Sequence, residues 1–537
     1  KWFSLGFWAL LARLVLRNRI IILVSVVLIT IFLALQWKNI KFTYTEANLL
    51  PDDEIASIEY KAFLEKFGEE GNLIIIGSKN DSLFTPEAFE KWSRMMQDFQ
   101  KNKSVDLVLS IDNLKQLQKN DSLQTFELKP FLDHSKTKDA DYLSGKVEEL
   151  RSDLPFYEGL LFNKKTGTIR GAIYLDKKIV NTAERKDFVL EILNPAIEKF
   201  EQESKVNLHI SGMPYIRTMS TETIKGEIGL FIGASLLVTS LLFYFFFRSF
   251  RATLISIIIV IIGVMWSFGI LGLFNYEITI LTSLVPSLII VIGIPNCIFL
   301  TNKYHQEYKV HKNKAKALQR VTTKIGMATL ITNVTTAIGF GTFVTSNNQL
   351  LIEFGIVTAI NIFALFFLCL FVIPIFHSYI PAPVERHLEH LDRGSVRRFM
   401  DWILRNVKTN RTKIYAVVSV LLLLSIVGVM KMRITGSIIE DMPKKTRFFQ
   451  DIVFFEDEFD GIMPLEIVID TKRKKGVMKL STLRRMEDFE TKIQNINGLS
   501  KPISVVNLVK YAKQAYYNGN PEYFALPSSQ EQAFILS

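Results

Sequence analysis

Seven apolar runs constrain this chain more than any other feature. Each is close to the ~20 residues that a helix needs to cross a bilayer, which is too long for the core of a soluble domain. The predicted spans cover residues 19–37, 228–247, 252–274, 279–301, 325–344, 350–376 and 414–430. The sequence therefore predicts an α-helical polytopic membrane protein.

The placement of basic residues predicts the direction of these spans. The net charge is +11, and the surplus collects in a basic loop at 302–324 and in a basic linker with an amphipathic helix at 377–413. The short loops on the other side, NYE at 275–277 and SNNQ at 346–349, carry no lysine or arginine. Because basic loops stay in the cytoplasm, the N-terminus is predicted to be cytoplasmic.

Three further segments complete the predicted organisation. Residues 1–18 are typical of an amphipathic helix that lies in the membrane interface. The two large polar regions, 38–227 and 431–537, then fall outside the cytoplasm.

The two ends of the chain are related by an internal repeat. A shift of 392 positions places Phe7 on Phe399 and, without a gap, Ile75 on Ile467. Each unit begins with an amphipathic helix, one span and an outside domain, and five more spans complete the first unit. A parallel repeat of this kind is typical of transporters. Two full units exceed 537 residues, so the second repeat is expected to be incomplete in this chain.

The polar region 38–227 alternates predicted strands and helices. Strands are expected at 72–78, 105–111, 168–176 and 206–212, and helices at 85–102 and 182–203. Two βαβ passages predict a split, ferredoxin-like α+β domain. The region 431–537 begins in the same way, with a strand at 464–470 and a helix at 481–496, and is predicted to be a partial second domain.

Several stretches resemble the resistance–nodulation–division (RND) superfamily. Segments 48–53 (NLLPDD) and 438–445 (IIEDMPKK) resemble the entry segments of its two porter domains, and ISGMPYIR at 210–217 resembles the Gly-x-Pro stretch before the second span. TNVTTAIGFGTFVTSNNQLLIEFGI at 332–356 resembles the fifth and sixth spans. The resemblance is greatest to the branch of mycobacterial large membrane proteins (the MMPL family), hopanoid transporters and Patched-like proteins. It implies porter domains in the periplasm and transport across the inner membrane of a bacterium.

The fourth span departs from the pattern of that superfamily. Many members carry Gly-x-Asp-Tyr there, and the aspartate relays protons. Here Gly293 keeps the glycine position, Pro295 takes that of the aspartate and Asn296 that of the tyrosine. Gly293 and Pro295 predict a kink. No Asp, Glu, Lys or Arg lies in the interior of the seven predicted spans, and Glu353, which comes closest, is placed near the outer end of the sixth. The proton relay therefore does not carry over to this unit.

The fifth span offers polar partners for Asn296. Thr329, Thr332, Asn333 and Thr336 recur at three- and four-residue spacing, which predicts one shared helix face. These residues and Asn296 could form a neutral polar relay or a weak cation site. Alternatively, they make interhelical hydrogen bonds that hold the bundle together. Both interpretations predict that all five face inward.

Other kinds of chemistry find no support in the sequence. It contains no phosphate loop, nucleotide motif, nucleophile triad or acidic metal cluster, so no enzymatic activity, cofactor or metal is expected. His209, His377, His387 and His390 lack the spacing of metal ligands. Cys297 and Cys369 both lie in predicted spans, where they are expected to be inert apolar residues.

Two hypotheses about function follow. The favoured one is an inner-membrane exporter of a hydrophobic or lipidic substrate, driven by an ion gradient through rocking of two six-span halves. The alternative is a non-pumping structural or regulatory partner in a larger cell-envelope complex. Expected partners are membrane lipids, the substrate, envelope proteins and further copies or subunits. Nucleic acid is not expected, because the positive charge follows the membrane boundary.

Overall fold

A computed structural model describes residues 5–42, 54–68, 71–120, 125–247, 249–383, 394–432, 444–461, 465–496 and 498–535. The predicted entry segment 48–53 and most of 438–445 lie outside the described residues. The chain divides into two compact units. The helical unit comprises Lys1–Glu59 and Thr221–Gly436, and the mixed unit comprises Tyr60–Ser220 and Ser437–Ser537.

The described helices are numbered in chain order. The first ten are α1 (Leu5–Arg17), α2 (Arg19–Leu35), α3 (Ile55–Phe67), α4 (Pro86–Gln100), α5 (Ala140–Asp153), α6 (Ala183–Asp187), α7 (Asn194–Ser204), α8 (Met213–Phe247), α9 (Phe250–Leu273) and α10 (Ile280–Ser283). The others are α11 (Val285–His311), α12 (Lys314–Gly341), α13 (Gln349–Tyr379), α14 (Gly394–Thr409), α15 (Arg411–Met430), α16 (Arg447–Phe459), α17 (Leu480–Gln494), α18 (Val505–Tyr516) and α19 (Gln532–Ile535).

The described strands form three small sheets. They are β1 (Lys41–Phe42), β2 (Leu73–Ser78), β3 (Val105–Leu109), β4 (Lys115–Asn120), β5 (Thr125–Pro130), β6 (Ile169–Leu175), β7 (His209–Ser211) and β8 (Glu277–Ile278). β1 pairs with β8 in the helical unit, although the sequence assigns β1 to the outside region 38–227. β4 and β5 form a hairpin.

Seven helical stretches among the described residues are long and apolar enough to cross a membrane. They are Arg19–Asn39, Met213–Phe245, Phe250–Leu273, Ile280–His311, Lys314–Thr345, Gln349–Tyr379 and Arg411–Met430. They agree in number with the predicted spans, and each overlaps one of them. Most of these helices extend beyond the apolar run, because hydropathy follows the membrane whereas helical hydrogen bonding continues into water.

The predicted basic loop at 302–324 is wrong in its conformation. α11 continues to His311 and α12 begins at Lys314, so the basic residues lie on two helical extensions. Lys312 closes the turn with a left-handed φ of 50°, and the Asn313 side chain accepts a hydrogen bond from the backbone N–H of Lys316. Lysine, glutamine and arginine are good helix formers, which explains why a polar stretch remains helical.

Close contacts between small and large residues hold α2 against α9. A Cβ atom at Gly269 would lie 2.5 Å from the Cβ of Leu33, and one at Gly272 would lie 2.2 Å from the backbone oxygen of Gln36. The indole N–H of Trp266 also donates a hydrogen bond to Thr30 Oγ1 at 2.9 Å. Glycine is therefore required at both positions, as is usual where membrane helices approach closely.

The amphipathic helix α1 packs on α12. Its apolar face carries Trp8, Ala12 and Val15, which are all buried. A Cβ atom at Gly326 of α12 would lie 2.4 Å from Cε3 of the Trp8 ring. The predicted helix at 1–18 therefore has a protein contact along one face, while its place in the membrane interface stays a prediction.

Replacing Gly326 by valine is expected to detach α1. The added side chain collides with a buried indole ring, and such overpacking costs about 1–3 kcal/mol. The midpoint of thermal unfolding in detergent and tryptic cleavage at Arg13 measure the effect. Gly339→Val is the matched control, because a Cβ at Gly339 of the same helix meets nothing within 4 Å. Equal midpoints and equal cleavage in the two variants would contradict this packing.

The core of the mixed unit is a four-stranded sheet in the order β3-β6-β2-β7, with every neighbouring pair antiparallel. Helices on one face bury large aromatic side chains, among them Phe89, Trp92 and Phe188. The sequence Leu-Ile-Ile-Ile-Gly-Ser of β2 is buried along almost its whole length. A strand that is covered on both faces has a continuous run of apolar residues, and β2 has such a run.

Helix α16 covers the other face of that sheet. Phe455 and Phe459 pack with Ile75 of β2. Glu458 accepts hydrogen bonds from Lys79 Nζ at 2.8 Å and from Thr168 Oγ1 at 2.6 Å. Burial raises the pKa of the Glu458 carboxyl, but its bonds to Lys79 and the threonines outweigh burial, so its pKa lies below the ordinary value.

Residues 437–537 therefore share one compact unit with the first polar region, whereas the sequence assigns 431–537 to a second domain. The strand predicted at 464–470 is not formed over its described residues, 465–470. No described strand pairs with this segment, and Leu465 and Ile467 are exposed. An apolar run cannot form a strand without a partner for its backbone hydrogen-bonding groups.

Candidate functional site

Asn296 of α11 and Asn333 of α12 form a reciprocal pair of amides inside the helical bundle. Asn296 Nδ2 donates to Asn333 Oδ1 at 3.0 Å, and Asn333 Nδ2 donates to Asn296 Oδ1 at 2.9 Å. Asn333 Nδ2 also donates to the backbone oxygen of Thr329 at 2.7 Å. Both side chains are buried. Each amide therefore satisfies the other, as polar groups in a membrane interior must be satisfied.

The three threonines of the predicted cluster do not join this pair through their hydroxyl groups. Thr329, Thr332 and Thr336 each donate to a backbone oxygen four residues earlier on α12. Thr329 is buried, Thr336 is partly buried and Thr332 is exposed. The prediction that all five residues face inward is wrong for Thr332. At 100° per residue, Thr332 lies about 100° around the helix from Asn333.

Gly293 and Pro295 have different surroundings. Gly293 is buried, and a Cβ atom there would lie 3.3 Å from Val260 Cγ2 and 3.4 Å from Leu365 Cδ2. Gly293 thus allows α11 to approach α9 and α13. Pro295 is exposed, and the helix is continuous through it. The kink expected at these two residues stays a prediction.

The buried carboxylate of the described spans lies away from the amide pair. Glu307 follows Asn296 by about 16 Å along α11, at 1.5 Å per residue. Lys324 Nζ lies 2.8 Å from its carboxylate and Lys303 Nζ lies 3.5 Å away. Arg320 and His311 lie 3.6 Å and 3.5 Å from it. Glu307 is therefore part of a cationic cluster that ties the end of α11 to the start of α12.

The amide pair supports only limited chemistry. An asparagine side chain does not exchange protons near neutral pH, and here each Oδ1 atom already accepts a hydrogen bond from the other residue. A cation could bind these oxygens only if the pair opened. Among the described residues, no group of three or more His, Cys, Asp or Glu side chains is placed to hold a metal ion. The geometry favours a contact that joins α11 to α12.

Two further contacts between α11 and α13 escape sequence reasoning. The Sγ atoms of Cys297 and Cys369 lie 3.8 Å apart, in contact but not bonded. The rings of Tyr304 and His377 lie 4.7 Å apart between centroids. Neither pairing has a local sequence signal, because it depends on which spans are neighbours.

Two comparisons bear on this arrangement. Residues 171–387 match the model of the MMPL family, and this segment runs from β6 past the end of α13, so it includes the amide pair. Over 144 residues the chain is 24% identical to a protein of Methanocaldococcus jannaschii named "Putative membrane protein MJ1562". That match covers 27% of this chain and 37% of the length of the relative.

Proposed function

We propose that this chain belongs to an exporter of a hydrophobic or lipidic substrate. Residues 171–387 match the MMPL family, which confirms the predicted branch of the RND superfamily. Members of the MMPL family are RND-type membrane transporters. The observation that carries the proposal is that this segment coincides with five of the seven apolar helices. The membrane is the inner membrane of a bacterium, and an ion gradient drives export.

The strand order of the mixed unit supports a ferredoxin-like porter domain, which the proposal places outside the cytoplasm. β6 lies between β2 and β3 and is antiparallel to both, so β2 and β3 run parallel and are joined through α4. β7 then pairs with β2 after α6 and α7. This strand order supports the split βαβ arrangement that the sequence predicts for a ferredoxin-like domain. In the proposal, the domain guides substrate on the periplasmic side.

The amide pair limits how this bundle couples to an ion gradient. A carboxylate in the middle of a span costs at least about 2.5 kcal/mol by insertion scales, and function is the usual reason to keep one. Here Pro295 stands in its place, and the neighbouring Asn296 is bonded to Asn333. We assign the pair a structural role and place ion coupling outside this bundle. The two halves of the transporter, related by the internal repeat, rock against each other.

The alternative is a non-pumping structural or regulatory partner of an envelope complex. The same neutral pair favours it, since the described part of this bundle has no carboxylate or basic side chain at its centre that could carry a proton. Association with other envelope proteins or further copies of the chain belongs to either proposal. The two differ in one observable, which is movement of substrate in response to a gradient.

Cysteine labelling in intact cells tests the orientation. Ser82→Cys is expected to react with an impermeant thiol reagent from outside, and Lys309→Cys only after the membrane is permeabilised. Both positions are exposed in the structure, whereas the native Cys297 and Cys369 are buried and leave a low background. The parent chain is the control. Labelling of Lys309→Cys in intact cells would show that the orientation is opposite to the one proposed. The mixed unit could then not be a periplasmic porter domain.

Reconstitution tests export itself. The intact protein in liposomes that contain a fluorescent phospholipid analogue is expected to move the lipid only when a pH or sodium gradient is imposed. Protein-free liposomes and an ionophore that collapses the gradient are the controls. Equal lipid movement with and without protein would favour the structural alternative.

A further inference from the structure

A small cavity lies at the end of the helical bundle that carries the basic extensions. It is partly open, has a volume of about 70 Å³, and lies between the start of α9, the end of α11, the end of α13 and residues 380–383. Its polar lining consists of Ser249, Arg251, Tyr304, His305 and His377. One ordered water needs roughly 10–15 Å³ measured in this way, so the cavity admits a group of several heavy atoms.

Two buried polar atoms in this lining have no hydrogen-bond partner among the described residues. They are the hydroxyl oxygen of Tyr304 and Nε2 of His377. Tyr304 is only 2% exposed and His377 only 6%. Buried polar atoms are almost always hydrogen-bonded in folded proteins, and leaving one without a partner costs free energy. Both belong to side chains that line the cavity, and both can act as hydrogen-bond donors.

The charges around the cavity favour an anion. Ser249 is the N-cap of α9, a helix of 24 residues, so the positive end of the helix dipole and its first backbone N–H groups lie at the cavity. Arg251 belongs to the same lining, and none of the described lining residues carries a carboxylate. The carbonyl end of α13 would repel an anion, but Lys314 Nζ donates to the backbone oxygens of Ser378 and Ile380 there.

Charged groups on neighbouring elements do not reverse this balance. Arg19 of α2 donates to Ser378 Oγ at 3.0 Å and adds a further positive charge near the cavity. Glu307, the nearby carboxylate of α11, is neutralised by Lys324 and Lys303. The cavity therefore combines a helix N-terminus, cations and two unpartnered buried donors.

We propose that this cavity binds a phosphate group. The Tyr304 hydroxyl and the Nε2–H of His377 donate to the phosphate oxygens, and Arg251 and the first N–H groups of α9 balance the charge. The phosphate belongs either to the headgroup of an anionic phospholipid or to free phosphate. The site is independent of the proposed transport and concerns residues outside the amide pair.

Lipid binding to the whole chain in neutral detergent tests the site. Native mass spectrometry and the shift of the thermal midpoint are measured with dioleoyl phosphatidic acid, and with dioleoylglycerol, which has the same tails and no phosphate. Phosphatidic acid is expected to bind and stabilise the protein, and dioleoylglycerol is not. Inorganic phosphate that displaces the lipid identifies free phosphate as a ligand, whereas failure to displace it assigns the site to the phospholipid.

Matched variants identify the residues. Tyr304→Phe combined with His377→Leu is expected to weaken phosphatidic acid binding at least about tenfold, since each lost bond to a charged group is worth about that factor. Tyr304→Phe alone should leave the unliganded thermal midpoint unchanged, because the deleted hydroxyl has no partner in the chain. Tyr308→Phe, one turn further along α11 and outside the cavity lining, is the control.

Equal binding of phosphatidic acid to the wild type and to Tyr304→Phe would overturn the proposal, because that variant keeps the fold and loses one of the two donors. So would a lack of binding to the folded wild-type protein. Weaker binding in Tyr304→Phe, with Tyr308→Phe unchanged, supports the site even if the double variant fails to fold.

Discussion

Replacing Gly212 by valine is expected to prevent the mixed unit from folding, with a loss of more than about 4 kcal/mol. Gly212 follows β7 and has a φ of 114°, which side chains other than glycine rarely tolerate. A Cβ atom there would lie 2.1 Å from the backbone oxygen of Leu73 and 2.9 Å from Cα of Ile74. Both are backbone atoms of the central strand β2, so they cannot move without breaking the sheet.

Hydrogen exchange of the β2 amides and the yield of folded protein measure this effect. Gly145→Val on α5 is the matched control, because it adds the same atoms where a Cβ meets nothing within 4 Å. The expected result is loss of protection in β2 for Gly212→Val only. Similar protection in both variants would show that β7 does not lie against β2 as described.

A further prediction concerns the amide pair. Asn296→Ala removes the two hydrogen bonds between Asn296 and Asn333. The Asn333 side chain then has no partner on α11. The expected loss is roughly 0.6–2 kcal/mol in the free energy of unfolding, the range for such bonds in membranes. Because an abandoned partner adds to the cost of each single change, the double variant Asn296→Ala/Asn333→Ala should be less destabilised than the sum of the two.

A double-mutant cycle in mild detergent measures this coupling. Thr332→Ala is the control on the same helix, since Thr332 is exposed and its hydroxyl donates to the backbone oxygen of Ala328 on that helix. It should change the free energy of unfolding by no more than about 0.5 kcal/mol. Strict additivity of the two asparagine changes would mean that the pair does not hold α11 to α12.

Hydropathy predicted the membrane spans correctly, but it did not predict where the helices end. The seven spans could be predicted because a long apolar run favours the bilayer. Inside lipid the backbone must form a helix to satisfy its own hydrogen bonds. The predicted loop at 302–324 failed because hydropathy reports where the membrane ends and not where the helix ends. The strand expected at 464–470 failed because a strand requires a partner, and its partner cannot be read from the segment alone.

In the candidate site, too, some contacts could be predicted from the sequence and others could not. Asn296 and Asn333 could be paired from the sequence, because a buried amide in a span needs another polar side chain. Thr332 was included because it lies three residues after Thr329, but it directly precedes Asn333 and so lies about 100° around the helix from it. Tyr304 and His377 could not be paired, because their contact depends on α11 lying beside α13. Side-chain spacing within one helix carries no information about that arrangement.

Gradient-driven movement of a labelled phospholipid by the Asn296→Ala/Asn333→Ala variant is the most direct test of a transporter whose amide pair is structural. The reconstituted intact protein is compared with the wild type, and rates are expressed per folded molecule. We predict a gradient-dependent rate within about twofold of the wild type, equivalent to a change of only a few tenths of a kcal/mol in the barrier. Loss of gradient-driven movement in a variant that keeps its thermal midpoint would contradict this, and would make Asn296 and Asn333 part of the ion path.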